Sequence, residues 1–310
     1  MSAETVEKIA DAVLYEGYML YPYRPSNVKN RQRWTFGGLY PEACAEASGD
    51  RTSLQAEVLL HARQPEIEIK VRFLHLLAEV RDGRRWQLAV EREVILRDFP
   101  AGARCQPFRF PASEHVEGGV TRRQEQIDGF VEAVCAPVQA GLHKLTLRVV
   151  NTTELHGCMN ISRDEASMRA LVATHAVLHT PGGEFVSLTN LPETLRDIAS
   201  ICVNQGVWPV MAGDPSSAEW MLVSPIILYD YPQIAPESPG DLFDGTEIDE
   251  ILTLRILTMT DQEKEEMRQS DPHLRDLLER TEALTPEQVI KLHGTLRSPH
   301  ALTRRMGGEI

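Results

Sequence analysis

A regular alternation of apolar and charged side chains constrains the fold of this 310-residue chain more than any other feature. Residues 66–73 read EIEIKVRF, with an apolar side chain at every second position. Successive side chains of a β-strand point to opposite faces, so the segment predicts a strand with one dry face and one wet face. The dipeptide Asp82-Gly83 then favours a tight turn, and residues 86–96 present a second apolar face. The sequence therefore predicts a β-hairpin.

Three further segments carry the signature of strands. Leu145, Leu147 and Val149 alternate with polar residues. Residues 170–188 predict a strand, a tight turn at PGG and a second strand that pairs with the first. The apolar run at 220–229 is interrupted by a proline, which lacks a backbone N–H and so indicates a sheet edge or a bulge.

Helical spacing of apolar residues appears in three places in the first 230 residues. From Val6 to Leu14 the apolar side chains recur at intervals of three and four, as on one face of a helix. The same reasoning predicts helices at 121–135 and 192–202. Beyond residue 240, a series of N-cap signals predicts several short helices, beginning at Thr246, Thr260, Asp271 and Thr285.

These patterns predict the α+β class. A β-rich, largely antiparallel body with a few helices is expected over residues 1–240, as a mixed α/β domain. The proline- and glycine-rich stretch before residue 245 indicates a boundary. An acidic, helical C-terminal tail is expected over residues 241–310.

The net charge of the chain limits the classes of partner that it is expected to bind. The formal net charge is −13, and residues 237–287 alone hold 15 acidic and 5 basic residues. Nucleic-acid binders neutralise phosphates with clustered Lys and Arg, so we expect no nucleic-acid partner. Anionic membrane surfaces should repel the chain as well. The N-terminus lacks a basic and apolar leader and no long apolar run occurs, so the sequence predicts a cytoplasmic protein that binds no membrane.

The sequence contains none of the standard catalytic motifs, so no catalytic residue and no cofactor is predicted. Nucleophile elbows, phosphate-binding glycine loops and zinc-protease helices are all missing. The five cysteines are scattered without a CxxC pair, which is typical of reduced core thiols. One metal pair is possible at His156 and Cys158, because alternate residues of an extended chain point the same way and imidazole with thiolate suits zinc, nickel or iron.

Two stretches of opposite charge are candidates for partner binding. Residues 18–34 are rich in aromatic and basic side chains, a mixture typical of interface hot spots, and residues 237–250 are strongly acidic. The two stretches could bind a partner, or an arm formed by residues 230–250 could cross the body and pair with the basic stretch. The predicted partner-binding residues are Tyr21, Arg24, Lys29, Arg31, Trp34, Asp241, Asp244 and Glu247.

Several strings of this sequence resemble a protein family that is associated with gene clusters of actinobacterial-type, oxygen-tolerant, high-affinity nickel–iron hydrogenases. The longest are EGYMLYPYR at 16–24, SPIILYDYP at 224–232 and APESPGDLFDGTEIDEILTLR at 235–255. Shorter strings lie at 71–74 and 89–94, and the resemblance covers most of the chain. It implies an accessory role in assembly, maturation or stabilisation of a hydrogenase.

The sequence thus predicts a non-catalytic accessory factor that docks on a hydrogenase subunit or a maturation factor. The alternative is a metal-dependent enzyme or metal carrier built around His156 and Cys158, with an unknown substrate.

Overall fold

The computed structural model describes residues 2–15, 36–155 and 161–233, and scattered residues between 259 and 283. By the clustering of its internal contacts the chain divides into two compact units, Met1–Ile234 and Ala235–Ile310. All strands and helices named below belong to the first unit. No helix among the described residues is long and apolar enough to cross a membrane.

Twelve strands within the described residues form two sheets, and every pairing between them is antiparallel. This confirms the predicted β-rich, largely antiparallel body with few helices. The strands are β1 (Ser53–His61), β2 (Ile67–Arg81), β3 (Arg84–Phe99), β4 (Gly102–Phe110), β5 (Ser113–Glu117), β6 (Val120–Gln124), β7 (Ile127–Gln139), β8 (Leu142–Asn151), β9 (Val172–His179), β10 (Glu184–Phe185), β11 (Trp208–Met211) and β12 (Trp220–Ser224).

The five-stranded sheet has the order β10-β1-β8-β7-β4. The seven-stranded sheet has the order β11-β12-β9-β2-β6-β5, and β3 pairs with the other side of β2. Along its inner edge β2 pairs first with β9 and then with β6. The helices are α1 (Ser2–Tyr15), α2 (Glu42–Ser48), α3 (Arg163–Ser167) and α4 (Arg196–Ala199), the last preceded by a 3₁₀ turn at Glu193–Leu195.

The predicted hairpin is confirmed as β2 and β3, the longest paired strands in the fold. Asp82 and Gly83 both adopt positive φ angles, of 50° and 72°, which suits a two-residue turn between twisted strands. The apolar face of β2, from Ile67 to Phe73, is completely buried in the core between the two sheets. Long antiparallel strands with one dry face pack in this way because each sheet needs a second layer to cover it.

Helix α1 covers the outer face of the seven-stranded sheet, as the spacing of its apolar residues predicts. Val6, Ile9 and Val13 are buried in one cluster with residues of β9, β11 and β12. The buried Arg72 of β2 lies below the polar edge of the helix, 2.7 Å from the Asp11 carboxylate. Ion pairing therefore fixes α1 to β2 beside the apolar contact.

Residues 121–135 form no helix, so that prediction is wrong. They belong to β6 and β7, and Ile127, Val131 and Cys135 face the core. The side chains between them are half-buried on the opposite face of the sheet, and several of these are apolar too. A strand with apolar residues on both faces also satisfies helical spacing, so periodicity alone does not separate the two.

Residues 170–188 form two strands, but the predicted hairpin pairing is wrong. Strand β9 pairs with β2 and β12, whereas β10 pairs with β1 in the other sheet. The turn at Pro181 therefore carries the chain from one sheet to the other. Two boundaries also differ from prediction: the 192–202 helix is confined to 193–199, and β12 ends at Ser224, inside the sheet rather than at its edge.

Candidate functional site

The residues predicted to bind a partner or a metal lie outside the described part of the chain. These are Tyr21, Arg24, Lys29, Arg31, Trp34, His156, Cys158, Asp241, Asp244 and Glu247. Within residues 2–15, 36–155 and 161–233, no group of three or more His, Cys, Asp or Glu side chains is placed to hold a metal ion. The described cysteines are free thiols.

A candidate site is formed by residues 225–231, which follow β12 and are called the edge segment here. Strand β11 ends the seven-stranded sheet, and its Met211 turns one backbone N–H and one carbonyl away from β12. The edge segment satisfies both groups: Met211 N–H donates to Asp230 Oδ1 at 2.9 Å, and Tyr231 N–H donates to the Met211 carbonyl at 2.7 Å. Unpaired backbone groups at a strand edge can pair with other chains. The two hydrogen bonds to the edge segment satisfy those groups of Met211 and hold the segment against β11.

Asp230 is the main polar anchor of the edge segment. Besides Met211 N–H, its carboxylate accepts hydrogen bonds from the hydroxyls of Ser187, at 2.5 Å, and Thr189. Hydrogen bonds to a charged acceptor are stronger than neutral ones. Burial, and then the nearby Asp230 and Asp214 carboxylates, raise the pKa of the Tyr231 phenol.

Side chains of the edge segment alternate between the protein and solvent. Ile226 and Leu228 pack against the cluster between α1 and the sheet. Ile227 is 80% exposed and Tyr229 is 90% exposed. Ile226 and Leu228 are anchored on the body, whereas Ile227 between them and Tyr229 after them face solvent. The segment thus holds a large aliphatic and a large aromatic side chain outward on a fixed backbone.

Two more partly exposed aromatic residues lie next to the start of the edge segment. Trp208, at the end of β11, is 42% exposed and pairs in register with Ser224. Phe36 is 37% exposed, and its carbonyl accepts a hydrogen bond from Ala173 N–H at 3.0 Å. The adjacent Gly37 packs so closely on Pro225 that a Cβ there would lie 2.8 Å from the Pro225 Cβ.

This arrangement relates the edge segment to both predicted partner-binding stretches along the chain. Residues 18–34 end directly before Phe36, which lies beside the start of the edge segment. Residues 237–250 follow the same segment a few positions later. Phe36, two positions after the first stretch in sequence, and the edge segment, a few positions before the second, are therefore neighbours in the described body.

Sequence reasoning missed Ile227 and Tyr229 as site residues. The apolar run at 220–229 was predicted as one strand at a sheet edge or with a bulge, so its last residues were not predicted to form a solvent-facing site. Exposure of these side chains depends on the sheet ending at β11, a non-local fact that the local pattern does not contain.

No protein-family model matches the chain, and no curated protein matches it.

Proposed function

We propose that this chain is a non-catalytic, cytoplasmic accessory factor that docks on a nickel–iron hydrogenase subunit or on one of its maturation factors. The observation that carries the proposal is the edge segment, which presents Ile227 and Tyr229 to solvent from an anchored backbone. The resemblance to the hydrogenase-associated family supports the choice of partner, because one of its longest strings, SPIILYDYP, contains this segment.

The energetics of docking favour an anchored segment over a mobile one. Burial of an aliphatic or aromatic side chain in an interface contributes about 1.5–3 kcal/mol. Ordering a flexible backbone during binding costs about 1–2 kcal/mol per residue, which would cancel much of that gain. Hydrogen bonds from Met211, Ser187 and Thr189 to Asp230 fix the backbone before the partner arrives.

Charge would add specificity around this apolar contact. The basic residues Arg24, Lys29 and Arg31 suit an acidic surface on the partner, and the acidic residues of 237–250 suit a basic one. Complementary charges mainly raise the rate of association and select the partner, while buried apolar side chains supply most of the affinity.

The test is affinity purification of the tagged chain from cells that express the hydrogenase, with mass spectrometry of the eluate. We expect hydrogenase subunits or maturation factors with the wild type, and their loss with the double variant Ile227→Ser and Tyr229→Ser. Val116→Ser is the matched control, because Val116 is 64% exposed on β5, a strand of the same sheet far from β11 in strand order.

Equal recovery of hydrogenase proteins with the double variant would reject the edge segment as the docking site. An eluate without any hydrogenase protein would reject the proposed function itself. Metal analysis of the same eluate tests the alternative that the chain is a metal carrier. The observation that favours this alternative is the spacing of His156 and Cys158, two side chains of types that bind zinc, nickel or iron.

A further inference from the structure

A second feature lies at the opposite end of the seven-stranded sheet, where α3 covers the outer face. A cavity of about 480 Å³ opens between the helix and the sheet. Small-molecule sites typically enclose about 300–1,000 Å³, so this cavity has the size of a ligand pocket. The function proposed above makes no use of it.

The strand register brings the floor of the cavity together. Val80 of β2 lies directly opposite Arg85 of β3 on one side and Thr121 of β6 on the other. Directly opposite residues of antiparallel strands share a face, so the three side chains form one row. A second row contains Ala78 and Arg123, with Glu114 of β5 opposite Arg123.

The roof of the cavity is the segment around α3, which is held in place at its start. Ser162 and Glu165 form a reciprocal capping box at its start. Arg163 binds Asp50 through two nitrogens, at 2.9 and 3.0 Å. From the sheet, the Gln87 amide donates to the Asp164 carbonyl at 3.2 Å. The contacts of the chain itself thus hold the start of α3 over the sheet.

Among the described residues, the charged groups that line the cavity leave the Arg85 guanidinium and the Glu114 carboxylate without an ion pair. Three arginines and three glutamates line it, so the formal charges balance. The Glu125 carboxylate, however, is held between Arg123 and Arg169, with each pair at 2.7 Å. Glu165 is engaged by the Ser162 N–H and hydroxyl at 3.3 and 3.2 Å. Among the described residues the exposed Arg85 side chain forms no hydrogen bond or ion pair, and a guanidinium carries five N–H donors.

We infer that this cavity binds a small amphipathic anion, with its carboxylate or phosphate group at Arg85 and its apolar body between sheet and helix. Arginine recognises both head groups through paired N–H donors. Ala78 and Val80 on the floor, with Ile161 and Met168 on the roof, provide apolar surface for the body of the ligand. A free inorganic anion would leave that surface uncovered.

The test titrates the full-length protein with octanoate and with octyl phosphate, and follows the ¹³C-methyl signal of Met168, assigned by Met168→Leu. We expect saturable binding of at least one probe, and about a tenfold loss of affinity in Arg85→Met, since a hydrogen bond to a charged group is worth about that factor. Arg63→Met, an exposed arginine outside the cavity, is the control. Glu114→Gln should strengthen binding, because it removes a negative charge beside Arg123.

The same titrations show which head group the cavity binds and whether it prefers an anionic to a cationic ligand. Binding of only one probe would identify the head group and support the inference. Equal affinity for octylammonium, equal affinity in Arg85→Met, or no shift with either anionic probe would each overturn it. The docking test uses side chains at the other end of the sheet, so either proposal can fail without the other.

Discussion

We expect the free energy of unfolding of the first unit to fall as the pH drops from 7.5 to 5, because two histidines are buried where a positive charge would not be solvated. His75 and His175 are both completely inaccessible to solvent. Burial lowers the pKa of each imidazole from the ordinary 6.5 to about 4, opposed by one hydrogen bond to a backbone carbonyl in each case. Arg92 near His75 and Arg72 near His175 lower these pKa values further.

The hydrogen bonds define the neutral form of each ring. His75 Nε2 lies 2.8 Å from the Glu125 carbonyl, so it carries the proton and donates. His175 Nδ1 donates in the same way to the Ala173 carbonyl at 2.9 Å. Within the described part of the chain the second nitrogen of each ring has no hydrogen-bond partner, and a proton added there would place an uncompensated charge in the protein interior.

The expected magnitude follows from the difference between folded and unfolded pKa values. The unfolded chain binds the extra proton once the pH falls below 6.5, whereas the folded chain binds it only near pH 4. The free energy of unfolding therefore decreases by about 1.4 kcal/mol per pH unit and per histidine through this window. At pH 5 the loss is about 2 kcal/mol for each histidine, and about 4 kcal/mol for the pair.

Guanidinium denaturation at pH 7.5 and pH 5, followed by tryptophan fluorescence, measures this loss. All four tryptophans lie between residues 34 and 220, so the signal reports on the first unit. His75→Gln and His175→Asn keep an amide donor where each ring donates but cannot be protonated. The double variant should lose about 4 kcal/mol less than the wild type between the two pH values.

A wild type and a double variant with the same pH dependence would refute the reasoning, whatever their absolute stabilities. His115→Gln is the control, since that side chain is 70% exposed and should not alter the dependence. Burial also lowers the pKa of His179, so the double variant should retain a shallow slope of the same sign. Carboxylates whose pKa is lowered by hydrogen bonds, such as Glu57, lose their contribution only below pH 5, outside the measured range.

Two further predictions concern the packing that supports both candidate sites. Arg72→Met should lower the free energy of unfolding by about 1–3 kcal/mol, because it removes the cation shared by half-exposed carboxylates of α1 and β3. Lys8→Ala, which removes an exposed ion pair, should change the free energy of unfolding little. Denaturation of both variants at pH 7.5 measures the difference. Phe73→Ala should cost about 3–5 kcal/mol in the same assay, because Phe73 is fully buried between the sheets, and a loss below 1 kcal/mol would contradict the described core.

Much of the sheet could be predicted from local sequence, and the reason is visible in β2 and β3. Their alternation fixes one face toward the core, and the turn residues fix where the chain reverses. Strand β7 was mistaken for a helix because apolar residues occupy both of its faces. Strand β10 was assigned to the wrong partner, because nothing in a turn records that the chain changes sheets there.

The candidate sites depend on the same non-local information. Ile227 and Tyr229 are exposed because β11 ends its sheet, and Arg85 lines a cavity because α3 returns across a strand that precedes it by many residues. The residues next to these positions in the sequence indicate neither the end of the sheet nor the return of α3. Prediction from single residues therefore favoured chemically conspicuous side chains, such as His156 and Cys158, over side chains whose surroundings make them significant.

Arg72 shows how a correct local pattern can still give a wrong environment. Its place in EIEIKVRF predicts a side chain on the wet face of the strand, and it does point away from the core. The side chain is nevertheless only 9% exposed, because α1 lies over that face and brings Glu7 and Asp11 to it. A buried cation persists only where carboxylates compensate for the lost hydration. The acidic residues on the polar edge of α1 therefore allow the helix to cover a charged face of the strand. The charge patterns of the helix and of the strand together determine the environment of Arg72.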